Sequence, residues 1–230
     1  MKKPWLRVVL ALSIDGRLAI SNEESTHLGG KSDRKVLEEA LAWSDGALIG
    51  SKTLSIHKTI CLIKNEMLLA KRRDKGKPEQ PVALVASDKK EFDITWPFFN
   101  QPIEKWLISS EKLSDKCMRK FFFKEQIISE SNWAKTLELI YIKGLSNIVV
   151  LGGASIVSSL IKLDLVDEIQ ITITPKLIGG SHTWIPNEIK GFSKNLHQKD
   201  AWILGENNLL DDNELLLRYY RNNKHRIYYK

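Results

Sequence analysis

The chain has 230 residues, of which 43% are hydrophobic, 27% are charged and 8% are aromatic. This composition is that of a globular protein, and it excludes a disordered, collagen-like or coiled-coil chain. No run approaches the roughly 18 uninterrupted apolar residues of a membrane-spanning helix, and the first residues lack a small-residue cleavage pattern. Two cysteines, Cys61 and Cys117, are too few for a disulfide framework and stand in no metal-ligand spacing. We therefore expect a cytoplasmic protein with no membrane partner and no bound metal.

The formal net charge of +7 comes from two basic segments. Residues 64–77 carry a net charge of +4 and residues 218–230 carry +5, which leaves the rest of the chain at −2. Neither segment has the glycine and aromatic interleaving of a single-strand nucleic-acid binder. We interpret the first segment as a solvated loop and residues 223–230 as a basic tail. No nucleic-acid partner is expected.

Short apolar runs alternate with segments of helical period, which favours an α/β domain. The run over residues 5–13 is almost continuously apolar and predicts a strand buried on both faces. The alternation over residues 168–174 (EIQITIT) instead predicts a half-exposed strand. The other predicted strands cover residues 47–50, 82–87, 105–109, 148–151, 202–205 and 214–220, and the predicted helices cover residues 32–43, 64–73, 133–143 and 156–163.

These elements predict a single domain over residues 1–222. Its mixed, mostly parallel sheet has about eight strands, with helices on both faces, and it ends in an antiparallel hairpin. Residues 55–80 are too long for an ordinary connection, and they are expected to form a functional loop or a lid with a helix of its own.

The clearest chemical signal is VVLGGASIVSSLI, residues 149–161. A buried strand leads through two glycines into a helix. Gly152 and Gly153 have no Cβ, so a phosphate can approach the backbone, and the first N–H groups of the helix attract the anion. The pattern predicts a pyrophosphate site; the alternative is a tight strand-to-helix turn without a ligand.

Two further segments follow predicted strands. Ser87 and the lysines after it are placed to hold the 2′-phosphate of an NADP ribose, with a solvated loop as the alternative. Thr53, after the strand that ends at Gly50, is a candidate donor to a cofactor, although its segment lacks the Walker spacing. The acid–base candidates are Asp15, otherwise a turn former beside Gly16, and His57.

Four segments together resemble the pyrimidine reductase family of riboflavin biosynthesis, which is the C-terminal reductase domain of bifunctional deaminase-reductases. The segments are LALSIDGRLA (10–19), SDGALIGSKTL (44–54), NIVVLGGASIVSSLI (147–161) and LVDEIQITITPKLIGG (165–180). The resemblance runs over about residues 5–220. It implies a dihydrofolate reductase-like three-layer αβα fold, here in a stand-alone form.

The resemblance also implies NADPH as the hydride donor and a ribosylamino-pyrimidine 5′-phosphate as the substrate, whose ribosyl group becomes ribityl. It implies a homodimer as well. On matching positions it implies cofactor binding by Gly50, Thr53, Ser87, Gly152, Gly153, Ala154 and Ser155. It implies substrate binding by Ser13, Asp15 and Lys64, with Asp15 as the catalytic residue.

The departures from the family lie on the substrate side. Val9 stands where the family commonly has lysine, Leu151 where it commonly has glutamate, and Leu28 where an aromatic residue is usual. Lys64 replaces an arginine. Two alternatives therefore stay open. One is an NADPH-dependent reductase of the same fold that acts on a pterin, dihydrofolate or another carbonyl compound, and the other is a nucleotide-binding module without turnover.

Overall fold

The computed structural model describes residues 2–19, 28–129 and 132–226. The strands in this part are β1 Trp5–Ser13, β2 Gly46–Gly50, β3 Val82–Ala86, β4 Lys105–Ser109, β5 Glu125–Ile128, β6 Asn147–Val150, β7 Glu168–Thr174, β8 Trp202–Leu209 and β9 Leu215–Arg221. The α-helices in this part are α1 Lys31–Trp43, α2 Ser51–His57, α3 Glu66–Asp74, α4 Pro97–Asn100, α5 Asp115–Lys120, α6 Trp133–Ile142 and α7 Ala154–Lys162. None of these helices is long and apolar enough to cross a membrane.

Most predicted elements are confirmed, and three strands, β1, β4 and β7, have the predicted bounds. The described residues hold nine strands rather than eight, because β5 was not predicted. Its four residues, EQII, are too short to show an alternation. β8 continues to Leu209, four residues past the predicted end, through polar residues that carry no apolar signal.

The chain forms two compact units, and the first comprises Trp5–Leu37 and Val150–Lys230. Its strands hydrogen-bond in the order β1-β7-β9-β8. β7 runs parallel to β1, whereas β9 is antiparallel to both β7 and β8. The predicted antiparallel ending is therefore confirmed.

The second unit comprises Lys2–Pro4 and Glu38–Val149. Its strands have the order β5-β4-β3-β2-β6, and the pairs from β2 to β5 are parallel. All five residues of β2 and of β4 are buried. This is the pattern of a parallel sheet covered on both faces.

The basic segment 64–77 is partly structural, so its interpretation as a solvated loop is wrong for two cations. Arg72 is 2% exposed, and its guanidinium donates to the carbonyl oxygens of Leu41 and Ser44 at 3.2 and 2.6 Å. These carbonyls lie at the end of α1, where the last carbonyl groups of a helix lack their regular intrahelical partners. Lys77 Nζ pairs with Asp45 at 2.7 Å.

β7 buries the polar side chains that its alternation was predicted to expose. Glu168, Gln170, Thr172 and Thr174 are each at most 2% exposed. They share one face with residues of β1 and β9, since Arg7 pairs with Glu168 and Arg218 with Gln170. Arginine side chains from both neighbouring strands contact Glu168 and Gln170 at the start of this row, which the sequence of β7 alone does not show.

An ion cluster stands at the start of this row. Glu168 Oε1 lies 2.9 Å from Arg7 Nε and 3.2 Å from Arg218 Nε, while Trp5 Nε1 donates to Oε2 at 3.1 Å. Arg218 also pairs with Glu206 at 2.8 Å. Burial lowers the pKa of Arg7, although the carboxylate of Glu168 opposes the shift. Glu168 is therefore the shared ion-pair partner of the buried Arg7 and the partly buried Arg218.

The variant Glu168→Gln is expected to lower the free energy of unfolding by about 3–5 kcal/mol, because it leaves the buried Arg7 without its carboxylate and removes one of the two carboxylates that pair with Arg218. Urea denaturation measures the change. The matched control is Glu206→Gln, whose side chain is 31% exposed and pairs with one of the same arginines; we expect it to cost less than about 1 kcal/mol. Equal losses in the two variants would contradict this assignment.

Candidate functional site

In the second unit, two of the predicted cofactor residues come together at the ends of parallel strands. Gly50 is the last residue of β2 and pairs with Ala86 of β3, so Ser87 follows one position later on the neighbouring strand. In α/β sheets, ligands bind outside the carboxyl ends of the strands. Gly50 is also the N-cap of α2, in which Thr53 is the third residue and is half-buried.

The loop after β3 is tied to the end of β4. Ser87 Oγ accepts from the amide of Lys89 at 3.1 Å, and Asp88 Oδ1 accepts from the amide of Ser110 at 2.7 Å. The ammonium of Lys90 lies 2.9 Å from a carboxylate oxygen of Glu111. Of the two predicted phosphate-binding lysines, one is thus already paired with an acid.

Lys64 lies apart from these residues in the loop before α3. Its backbone N–H donates to Glu38 Oε2 at 2.7 Å, and the residue is exposed. The amide of Asn65 donates to the same oxygen at 2.9 Å. Glu38 therefore fixes the loop that carries Lys64.

In the first unit, the predicted Gly-Gly turn has the geometry that a close approach to the backbone requires. Gly152 has a φ of +125° and Gly153 a φ of +90°, values that L side chains rarely adopt. Gly153 is the N-cap of the nine-residue helix α7, in which Ala154 and Ser155 are the first two residues. A side chain at either glycine would therefore strain the backbone.

Ser13 and Asp15 are in direct contact at the end of β1. Ser13 is fully buried, and its Oγ donates to Asp15 Oδ1 at 2.6 Å. The same carboxylate accepts from the amides of Gly179 at 2.8 Å and Ile178 at 3.3 Å. The hydrogen bond from Ser13, together with those from the two amides, lowers the pKa of Asp15 to about 2. The carboxyl is thus ionised at neutral pH.

Two residues near this end of β1 were not predicted from the sequence. Thr174, the last residue of β7, pairs with Ser13, and its buried hydroxyl has no hydrogen-bond partner among the described residues. Lys176 Nζ donates to the carbonyl oxygen of Leu28 at 2.7 Å. The pairing of β1 with β7 brings Thr174 to this site, and a sequence pattern read strand by strand does not contain that pairing.

Of residues 26–30, the structure describes those from Leu28 onward. Leu28 is 4% exposed, so the residue that stands in place of the usual aromatic is a core side chain. Val9 is 9% exposed and Leu151 is half-buried. Among the described residues, no group of three or more histidine, cysteine, aspartate or glutamate side chains is arranged to hold a metal ion.

The start of α1 is capped by a carboxylate from the other end of the chain. Glu214 Oε1 accepts from the amide of Gly30 at 2.6 Å, and its Oε2 accepts from the amide of Asp33 at 3.2 Å. Burial raises the pKa of the Asp33 carboxyl, and the charge of Glu214 adds to the rise, while a hydrogen bond from Thr172 opposes it. The side chain of Asp33 also fills the space that a Cβ on Gly29 would need.

We expect Asp33→Asn to be more stable than the wild type at pH 7.5. A raised pKa means that ionisation of the folded carboxyl costs stability above that pKa, and the amide removes this cost. As the pH falls toward the ordinary aspartate pKa of about 4, the wild type regains this stability and the difference closes. Urea denaturation between pH 4.5 and 8 measures it.

The control is Asp93→Asn, at an exposed carboxylate whose pKa is lowered by hydrogen bonds from Thr95. Its difference from the wild type should have the opposite sign, with the variant less stable at pH 7.5. A gain at Asp33 that does not change with pH would contradict the assigned cause.

Comparison with known proteins supports the resemblance. The family model described as the RibD C-terminal domain matches residues 4–215. A 2,5-diamino-6-ribosylamino-4(3H)-pyrimidinone 5′-phosphate reductase of Archaeoglobus fulgidus is 26% identical over 185 residues, which are 77% of this chain and 83% of the relative.

Two solved structures show the same fold. A pyrimidine reductase-like protein from Corynebacterium diphtheriae has a TM-score of 0.77 at 18% identity, over 96% of this chain and 93% of that chain. A dihydrofolate reductase from Enterococcus faecalis, complexed with NADP(H), has a TM-score of 0.52 at 13% identity, over 95% and 97% of the two chains. The predicted dihydrofolate reductase-like α/β fold is therefore confirmed. Since the family model covers residues 4–215, the chain belongs to the RibD C-terminal domain family, the reductase family of riboflavin biosynthesis that its four sequence segments resemble.

Proposed function

We propose that this protein is a cytoplasmic, NADPH-dependent reductase that converts the ribosyl group of a ribosylamino-pyrimidine 5′-phosphate to ribityl. The observation that carries the proposal is the family match over residues 4–215 together with the Gly-Gly turn at the start of α7. The Archaeoglobus relative is named as a reductase of such a phosphate, and the Enterococcus structure of this fold contains NADP(H).

The proposed pyrophosphate site of the first unit is Gly152–Ser155. The fit rests on two features: Gly152 and Gly153 have positive φ and no Cβ, and α7 begins there with its first N–H groups. A helix of nine residues has a positive end that attracts an anion. Gly152, Gly153, Ala154 and Ser155 are the proposed contacts.

In the second unit, Gly50, Thr53 and Ser87 are the proposed cofactor contacts. Gly50 and Ser87 stand at the carboxyl ends of paired parallel strands, the usual place for a nucleotide in an α/β sheet. Ser87 Oγ accepts from an amide and keeps its own proton for donation to a ligand.

On the substrate side, we propose Ser13, Asp15 and Lys64 as the residues of the substrate site. Bound NADPH would supply the hydride, and the chain's own contribution would be to hold the sugar carbon against it. The buried hydroxyl of Thr174, next to Ser13, adds a polar group at the same strand ends, and it has no hydrogen-bond partner within the part of the chain that the structure describes. Lys64 is exposed, and its ammonium group is suited to binding a phosphate as a point charge.

A second candidate function keeps the fold and the cofactor but changes the substrate to a pterin, dihydrofolate or another carbonyl compound. Val9 and Leu151 favour it, because apolar side chains stand where the family commonly has a lysine and a glutamate. Genetic complementation separates the two: rescue of a riboflavin reductase mutant supports the first, and rescue of a dihydrofolate reductase mutant alone supports the second.

Binding of NADPH is tested by a fluorescence titration of the purified protein, repeated with NADH. We expect micromolar binding with a preference for NADPH, followed by oxidation of NADPH when the ribosylamino-pyrimidine phosphate is added. Tight binding without turnover on any pyrimidine or pterin would support the nucleotide-binding module. If neither nucleotide binds, the Gly-Gly segment is a turn without a ligand.

The variant Ser155→Asp tests the pyrophosphate site without straining a glycine. A carboxylate in the first turn of α7 is expected to leave stability unchanged or to raise it, since it complements the helix dipole. The same charge repels a pyrophosphate, so NADPH affinity should fall at least about tenfold. The matched control is Ala134→Asp, at the second position of α6; it should leave NADPH affinity unchanged, and equal losses in both variants would contradict the site.

We also propose a homodimer, supported by a half-exposed apolar row on one face of the first unit. Leu209 pairs with Leu215 on this face, and they are 79% and 38% exposed; Leu204 on the same face is 45% exposed. Exposed apolar side chains that share one face of a sheet are a common feature of interfaces.

Sedimentation equilibrium should therefore give twice the 26.3 kDa chain mass. Leu209→Lys should shift the protein to the monomer, whereas Leu139→Lys, at a 42% exposed leucine of α6, should not. A monomeric wild type would refute the dimer.

A further inference from the structure

The loop Pro175–Gly180 after β7 has little packing of its own. Leu177 is 76% exposed, and Gly179 and Gly180 both have positive φ, at +63° and +77°. An exposed loop with two such glycines has many accessible conformations. Its position therefore depends on hydrogen bonds to the segments beside it.

Asp15 supplies the acceptor for those hydrogen bonds. Its two carboxylate oxygens accept hydrogen bonds from the backbone amides of Ile178 and Gly179, at 3.3 and 2.8 Å. The amide of Ile14 donates to the carbonyl oxygen of Lys176 at 2.9 Å, so the backbones of the two segments also meet directly. Asp15 thus joins the loop after β7 to the turn after β1.

The side chain of Asp15 is itself held in place. Ser13 Oγ donates to Oδ1 at 2.6 Å, and Arg17 Nε lies 3.6 Å from Oδ2. Ser13 is fully buried, which fixes the hydroxyl that orients the carboxylate. The carboxylate accepts hydrogen bonds from one hydroxyl and two amides. These bonds stabilise the ionised form, so the group has no proton to donate at neutral pH.

We propose that Asp15 is a positioning residue of the reductase site: it holds the Ile178–Gly179 backbone at the end of β7 and accepts hydrogen bonds throughout, without donating a proton to the substrate. The effect on the substrate rests on the proposed reductase function, whereas the contacts of Asp15 with the loop do not. The loop lies at the carboxyl end of a strand parallel to β1, where a displacement of about 1 Å changes the orientation of a bound substrate.

The test compares the wild type with Asp15→Asn and with the matched control Asp93→Asn, an exposed aspartate that accepts from the amide and hydroxyl of Thr95. Amide hydrogen exchange at Ile178 and Gly179 should become at least about tenfold faster in Asp15→Asn and stay unchanged in the control. The NADPH dissociation constant should stay within about twofold of the wild type, because the change lies on the substrate side.

Steady-state kinetics test the role of Asp15 in the reaction, because a residue that only stabilises the fold would leave kcat/KM of the folded enzyme unchanged. In Asp15→Asn, kcat/KM for the ribosylamino-pyrimidine phosphate should fall about tenfold or more at every pH from about 6 to 9, while the shape of the pH profile stays that of the wild type. Loss of one limb of the profile, with unchanged exchange at Ile178 and Gly179, would show that Asp15 transfers a proton and would overturn the proposal.

Two further outcomes are decided by separate measurements. If the wild type binds NADPH but does not turn over the pyrimidine phosphate, the proposed function fails, while the exchange comparison still decides whether Asp15 holds the loop. If Asp15→Asn does not fold, Ser13→Ala replaces it, because it removes a donor to the same carboxylate. Exchange at Gly179 should then rise about threefold, and an unchanged rate would overturn the proposal.

Discussion

The carboxylate of Glu168 is the constraint on which the first unit depends. It is 1% exposed and is shared by Arg7 of β1 and Arg218 of β9, so one buried acid joins three neighbouring strands. A slip of one residue would turn this carboxylate to the apolar face and leave both guanidinium groups without it. The register that this cluster fixes is the same one that brings Thr174 opposite Ser13 at the other end of the strands.

The loops around that end are held by side chains that accept from backbone amides. Asp15 accepts from the loop after β7, and Glu214 accepts from Gly30 and Asp33 at the start of α1. Lys176 makes the complementary contact, because its ammonium donates to the carbonyl oxygen of Leu28. Irregular segments have no ladder of their own, so acids and amines from other segments satisfy their backbone groups. Acidic residues near a site are therefore often structural acceptors, even where a resemblance implies chemistry.

The sequence predicted eight of the nine described strands and the Gly-Gly turn because these have local causes. A continuous apolar run gives β1, and two glycines between a strand and a helix give the turn at residues 152–153. The burial of β7 has a distant cause, since Arg7 stands 161 residues before Glu168 and does not appear in the alternation of EIQITIT. Arg72 was interpreted as part of a solvated basic segment for the same reason: its partners are carbonyl oxygens of α1, which have no sequence signature. The contact between Asp15 and Gly179 joins two segments that lie 164 residues apart in the sequence.

The first unit is built from the two ends of the chain, and this determines when it can form during synthesis. β1 needs β7 as its parallel partner, and Arg221 and Arg226 must still close ion pairs with Asp164 and Asp167 at 2.7 and 2.6 Å. A ribosome adds about 5–20 residues per second, so an almost wholly apolar strand waits on the order of ten seconds for its partners. β1 therefore stays without its parallel partner β7 until residues 168–174 have been synthesised. A message truncated near its end would yield a product in which β1 and β7 can pair but the ion pairs of Arg221 and Arg226 cannot close.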